Sequence, residues 1–444
     1  MAKEKVDTLV PIEEQPYLIP KNWMWIRLGS ITTNQYGYTA KAVVDIHLPK
    51  MLRITDIQES GVNWKDVPNC HIDEEDIKKY RLQENDIVIA RIGATTGKSH
   101  IIKNPPLSVF ASYLIRIRMT TNTLPRYIYM FLQTDLYWKQ ITELSSGIAQ
   151  PGVNSSKLET MIFPIAPFSE QQRIVNRIES LFAKLDEAKE KAQAVVDGFE
   201  DRRAAILHQA FSGELTRNWR KDNTNIPWQT ATWGELITSI EAGKNWNALG
   251  RPPQDKEFGV VKVSAVTWGE FNEQESKTCE QQSQWNEKVQ IKRGDFLFSR
   301  ANTIQLVGNC VIVKDISKKL MLSDKILRLK HNDKVVPEYV LYYTRTDLYR
   351  EQIEQLASGN QDGMRNVSQK NMCLVQLPIP PIEEQKAIVD IVGSLMNENM
   401  QAKEVAKQVI SQIDTMKKTI LARAFRGELG TNDPSEPPAD IGVS

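Results

Sequence analysis

The strongest constraint on this chain is that it says nearly everything twice. Gln83-Glu84-Asn85-Asp86-Ile87-Val88-Ile89-Ala90-Arg91 returns as Lys292-Arg293-Gly294-Asp295-Phe296-Leu297-Phe298-Ser299-Arg300, an offset of 209 residues. Thr134-Asp135-Leu136-Tyr137 returns as Thr346-Asp347-Leu348-Tyr349 at an offset of 212. Ser146-Gly147 and Asn154 return as Ser358-Gly359 and Asn366 at the same offset. Pro167-Phe168-Ser169-Glu170-Gln171-Gln172 is echoed by Pro380-Pro381-Ile382-Glu383-Glu384-Gln385, and Ala210-Phe211-Ser212-Gly213-Glu214-Leu215 by Ala424-Phe425-Arg426-Gly427-Glu428-Leu429. Near the start of each copy, Trp25 and Leu28 answer to Trp233 and Leu236. The order never breaks, which implies a duplicated unit. At 444 residues the chain is also too long for one ordinary core.

Each copy has a globular part and a helical part. Residues 1–166 hold an N-terminal extension and the first head, and residues 217–379 hold a linker and the second head. Short apolar runs such as Ile87–Ala90 and Phe296–Phe298 follow Asn-Asp or Gly-Asp turns and predict strands. Tyr127–Ile141 and Tyr339–Ile353 predict amphipathic helices begun after proline. Residues 167–216 and 380–430 each predict one long spacer helix, and 431–444 a flexible tail.

The long helices carry a seam of alternating four and three residues. The first runs Ile174, Ile178, Leu181, Leu185, Ala188, Ala192, Val195 and Phe199, and extends through Arg202 and Ile206. The second runs Ile388, Val392, Leu395, Asn399, Ala402, Ala406, Val409, Ile413, Met416 and Ile420. A sustained 3.5-residue repeat is the mark of a coiled coil, whereas a helix on a globular core drifts toward 3.6. A chain that must travel back after its first helix favours antiparallel pairing, with Asn399 and Arg202 as polar intrusions that fix register. The predicted architecture is mixed α/β (α+β). Two similar globular domains are separated by an antiparallel coiled coil of two long helices, with pseudo-two-fold internal symmetry. Each seam spans on the order of 50 Å.

Composition narrows the class. No apolar run approaches the roughly 20 residues that cross a bilayer, and Met1–Thr8 lacks a signal-peptide core, so a cytoplasmic protein is expected. Cys70, Cys279, Cys310 and Cys373 lie far apart and predict reduced, partly buried thiols rather than a zinc or disulfide framework. His71 beside Asp73 and Glu74 fits a solvated acidic loop better than a metal site. A net charge of +1 gives no global basic surplus, so any DNA-binding face is local or shared with partners.

Motifs that suggest catalysis fail on inspection. Gly93-Ala94-Thr95-Thr96-Gly97-Lys98-Ser99 has three residues between its glycines where a P-loop needs four. Asn104-Pro105-Pro106-Leu107 lacks the aromatic ring that stacks on a flipped base, and Glu275-Ser276-Lys277 has no Pro-Asp partner to make a nuclease site. No catalytic site, no bound metal and no cofactor are expected on this chain.

Two similar but unlike heads on a stiff spacer suit a target with two separated elements. Duplex DNA satisfies this, and so would a protein with two epitopes, which leaves a non-enzymatic bivalent adaptor as the alternative. The segments Phe163–Val175 and Leu377–Val389, the helix ends Ile206–Leu215 and Ile420–Leu429, the openings at Trp25 and Trp233, and Ser146–Asn154 resemble the specificity subunits of type I restriction-modification systems. The resemblance covers roughly residues 20–430, in order, twice. It implies two target-recognition domains, each reading one half of a bipartite site in double-stranded DNA. It implies two methyltransferase subunits bound to the helices, and motor-nuclease subunits joined to those. It also implies adenine methylation with S-adenosylmethionine and restriction with ATP and magnesium, all of them used on partner subunits.

Base edges are read best by Arg, Lys, Asn and Gln, and phosphates by basic and hydroxyl side chains. Loops at equivalent places in both heads are therefore the candidates. In the first head these are Arg91, Thr95, Lys98, Gln150 and Asn154, and in the second Arg300, Asn302, Gln361, Arg365 and Asn366. For Arg91 and Arg300 the alternative is a structural pairing with a carboxylate.

Overall fold

The computed structural model describes residues 9–58, 61–145, 152–223, 226–359 and 364–440. It resolves into two compact units, Met1–Gln193 with Lys407–Ser444, and Ala194–Ala406. Each unit holds one head and a part of both long helices, so the division runs through the helices rather than at the linker.

The two heads share one topology. In the first, a four-stranded antiparallel sheet has the order Thr32–Tyr36, Leu114–Met119, Ile87–Ala90, Ser99–Ile101. In the second, the order is Ile237–Ala242, Ile326–His331, Phe296–Ser299, Cys310–Ile312. The repeated turn motif sets the register. Asn85 takes φ 68° and Gly294 φ 88°, each just before the aspartate that closes the turn. Asp86 accepts from Gln83 N and from the Arg118 guanidinium, and Asp295 accepts from Lys292 N and Arg328 Nη1.

The following strands are apolar throughout because both faces are covered. Ile87 and Ile89 pack with Ile115, Ile117 and the helices, while Val88 and Ala90 face Leu52, Ile102 and Phe110. Phe296 and Phe298 likewise face the helices, and Leu297 faces Val261, Val311 and Leu320. The four cysteines are free thiols, three of them buried. His71–Asp73 is a loop, exposed at His71 and Asp73, that ends in a helix start, with Asp73 capping Glu74–Tyr80 through Asp76 N.

Three expectations need correction. The post-proline helices are each two helices, Pro125–Phe131 with Asp135–Ser145, and Pro337–Tyr343 with Asp347–Leu356. The break falls at Thr134 and Thr346, whose hydroxyls accept from Tyr137 N and Tyr349 N as N-caps. The first long helix is interrupted at Gly198, giving Phe168–Asp197 and Phe199–Phe211, whereas Ile382–Ala424 is continuous. The expected flexible tail is docked on the first unit as far as residue 440. Arg173 makes a bidentate pair with Glu436 at 2.8 and 2.7 Å, Ala439 N bonds Asn22 O, and Ala439 is buried in the core.

The predicted antiparallel pairing is present within each unit. In the first, Lys189 Nζ lies 2.7 Å from Asp414, Lys417 pairs with Asp186, and Ile174 and Ile178 share a core with Leu421 and Phe425. In the second, Leu207, Ala210 and Phe211 pack with Ile388 and Val392. Arg202 Nε donates to Asn399 Oδ1 at 2.9 Å, Asn399 Nδ2 donates to Phe199 O, and a second Arg202 nitrogen caps Val195 O. The two polar seam residues therefore meet, at the interruption made by Gly198. Of the remaining seam positions, Ile178, Ala192, Ala406 and Ile413 are buried, Leu181, Leu185, Val195, Phe199, Ile206, Leu395, Val409 and Ile420 half-buried, and Ala188, Ala402 and Met416 exposed.

Candidate nucleic-acid interface

In each head the end of the central strand meets the loop that leads into the short helix Ser155–Glu159 or Gln369–Met372. Val153 N donates to Arg91 O at 2.8 Å in the first head, and Val367 N donates to Arg300 O at 2.8 Å in the second. Ile92 bridges Gly152, and Ala301–Asn302 pairs with Asn366–Arg365. The two candidate loops that sequence singled out in each copy are thus brought side by side, in the same way twice.

This register corrects two of the repeat alignments. Val153 and Val367 are equivalent, so Asn154 corresponds to Ser368 rather than to Asn366. Asn154 caps Ser155–Glu159 by accepting from Lys157 N, and Ser368 caps Gln369–Met372 through Asn371 N. At the start of each copy, Leu28 N bonds Met161 O and Trp233 N bonds Val375 O. Leu28 therefore corresponds to Trp233, and Trp23 rather than Trp25 is the counterpart of a second-copy tryptophan, Trp228.

The side chains differ around the shared backbone. Arg91 makes no ion pair among the described residues. Its guanidinium lies 4.6 Å from the Tyr36 ring centroid and donates to Ser112 O. Arg300 Nε donates to Asn366 Oδ1 at 3.4 Å, also without a carboxylate. Among the described residues neither arginine has a carboxylate partner, and Asp362 of the adjoining loop lies outside them. Asn302 sits beside Arg365 in the two-stranded ladder, with Nδ2 on Thr267 Oγ1, and an Arg365 nitrogen donates to Gly359 O. Thr95 is exposed at the loop tip, whereas Lys98 is half-buried and its Nζ donates to Ile57 O at 3.1 Å. Gln150 and Gln361 lie outside the described residues.

Sequence reasoning treated the helix-start motif only as a signature. Its physical content is a pair of fully buried polar anchors. Glu170 accepts from Trp23 Nε1 at 2.7 Å and from Asn432 Nδ2, while Glu384 accepts from Trp228 Nε1 at 3.0 Å, Thr216 Oγ1 and Arg220. Gln171 and Gln385 each hold a backbone N–H of the head, Leu124 N and Val336 N. These bonds seat each head on its helix. A buried carboxylate so placed needs such donors to remain in the structure.

Among the described residues, no group of three or more His, Cys, Asp and Glu side chains could hold a metal ion, and no helix is long and apolar enough to cross a membrane. A family model described as the type I restriction modification DNA specificity domain matches the chain twice, over residues 20–196 and 225–411. The chain belongs to this family of DNA-specificity proteins. It is 25% identical to the specificity subunit of the type I restriction enzyme EcoKI of Escherichia coli, over 93% of this chain and 90% of that one. It is 24% identical to the StySPI specificity subunit of Salmonella potsdam over the same shares. The solved HsdS subunit from Thermoanaerobacter tengcongensis superposes with a TM-score of 0.62 at 18% identity, covering 94% of this chain and all of that one. That likeness shows a common fold.

Proposed function

We propose that this chain is the cytoplasmic DNA-reading subunit of a type I restriction-modification complex, with each head reading one half of an asymmetric bipartite site. The long helices set the interval between the half-sites. The chain recruits two methyltransferase subunits and, through them, motor-nuclease subunits. S-adenosylmethionine, ATP and magnesium are used on those partners, where adenine methylation and DNA cleavage take place. The observation that carries the reading is the loop pair at Arg91 and Arg300. One backbone arrangement is built twice and dressed with different hydrogen-bonding side chains, as two unlike half-sites require.

Within the loops, Arg91, Thr95, Arg300, Arg365 and Asn366 are the best-placed readers, and the exposed Asn154 can offer its Nδ2 beside them. Lys98 has its Nζ on Ile57 O and Asn302 has both amide atoms held, by Thr267 Oγ1 and Thr303 N, so these two stand behind the others. The test is to express the chain with its methyltransferase partner and map methylated adenines. A two-part motif with a fixed gap is expected, and a single continuous motif would overturn the reading. Substituting Arg365→Ala should relax one half of that motif alone, at a cost of about 1–3 kcal/mol if the contact is bidentate to a base.

A further inference from the structure

The second head carries an arginine-lined cleft of about 440 Å³ that none of the sequence motifs announces. One wall is the turn Thr267-Trp268-Gly269, where Trp268 is 75% exposed and Gly269 takes φ +86°. Behind it stand Arg345 and Arg350, with Arg203 from the helix Phe199–Phe211. Arg345 Nη2 donates to Gly269 O at 2.8 Å, and Arg345 forms no ion pair within 4.0 Å among the described residues. Burial and the neighbouring Arg203 both disfavour its charge, so an incoming anion would be welcome there. Asp347 stands at the cleft as the first residue of its helix, and Arg203 and Arg350 are paired with Glu200 and Glu354, which leaves Arg345 as the lining cation with no ion pair among the described residues.

The cleft is continuous with the loop pair already described. Asn302 Nδ2 reaches Thr267 Oγ1 at 3.3 Å, and Asn309 Nδ2 donates to Thr267 O at 2.8 Å. A duplex lying on Asn302 and Arg365 would therefore pass the mouth of the cleft. The feature is specific to this head, because the positions matching Arg345 and Arg350 in the first copy are Gln133 and Trp138.

We infer that this cleft is a DNA-backbone clamp of the second head. Arg345 takes a phosphate oxygen, and Trp268 packs against the adjoining sugar. The inference rests on the DNA-reading function proposed above. Its chemistry is that of positioning contacts, which fix register without choosing sequence.

The test is a salt titration of duplex binding by the full chain assembled with its methyltransferase partner, on the mapped target and on an unrelated duplex. Arg345→Gln, which installs the residue found in the first head, should weaken both alike, by about five- to tenfold, and flatten the slope of log K against log salt by about 0.9. Arg345→Lys should retain the slope. Trp268→Ala should weaken binding about fivefold or more with the slope unchanged. A wild-type slope and affinity in Arg345→Gln, with unaltered thermal unfolding, would overturn the clamp alone. So would a loss confined to the mapped target, which would make Arg345 a base reader. Unchanged DNA binding with loss of the methyltransferase would instead make the cleft a protein-docking face. Absence of salt-sensitive binding by the wild type would sink the DNA reading itself, and the clamp with it.

Discussion

At Gly97 the backbone takes φ +89°, and a Cβ there would stand 2.7 Å from Ile141 Cγ2. At Gly308 the angle is +83°, and a Cβ would meet Ile353 Cγ2 at 2.7 Å. The carbonyls of these glycines accept from Tyr137 Oη and Tyr349 Oη. The nucleotide-loop mimic of the first head is therefore a packing corner, with its glycine fixed by a helix rather than by a phosphate. Either glycine changed to alanine is expected to destabilise its own head by about 2–4 kcal/mol, from backbone strain plus overpacking. Chemical unfolding of the variants checks this.

A second residue-scale effect belongs to His331. Its Nε2 accepts from Trp233 Nε1 at 3.0 Å, and burial lowers the imidazole to about 4 from its ordinary 6.5. The neutral ring is the folded form, so its contribution is complete above pH 6.5 and is lost as pH falls toward 4. The urea midpoint of the wild type should drop between pH 7 and pH 5, and His331→Gln should lack that part of the drop. Equal acid slopes in the two proteins would exclude His331 as the cause. None of this was visible in the sequence, because a lone histidine gives no sign of which indole it will face. The pairing of the loops at Arg91 and Arg300 was more legible, since repetition singles out both places and backbone bonds join the loops there.

Along the elements, strands and long helices followed from hydrophobic period, and the breaks inside helices did not. Thr134 and Thr346 occupy caps whose local pattern, Thr-Asp-Leu-Tyr, was read as repeat identity and not as punctuation. Gly198 was passed over because the seam continues in step across it. There the Arg202 side chain occupies the Val195 carbonyl that the interrupted ladder leaves open. Asn399 is 8% exposed, so Arg202→Met should strand its amide oxygen and cost about 1–2 kcal/mol. The double variant Arg202→Met with Asn399→Leu copies the residues at the corresponding places of the other copy, Met416 and Leu185. It should recover that stability, with a coupling of at least about 0.5 kcal/mol in a double-mutant cycle. Light scattering should then reveal chains paired with one another, since a polar layer in the seam specifies partner and register. A strictly monomeric, correctly paired double variant would deny the layer that role.

For the whole molecule, duplication was the legible fact, and it carried the fold class and the family. What it could not supply was which ends of the copies fold together, because a contact between residues 22 and 439 leaves no periodic trace. The spacer reading makes one prediction at this scale. Four residues inserted near Ala192 add about one helical turn while keeping the seam nearly in phase, and should lengthen the tolerated gap between half-sites. Methylation mapping that returned the original gap would refute the ruler.

The docked C-terminus has a consequence for biosynthesis. The core of the first head includes Leu421, Ala424, Phe425 and Ala439, so the part of the protein that leaves the ribosome first is the last that can close. The second unit lies wholly within Ala194–Ala406, and a nascent chain already holds all of it before those closing residues are translated. Losing those closing residues would spare the second unit and open the core of the first.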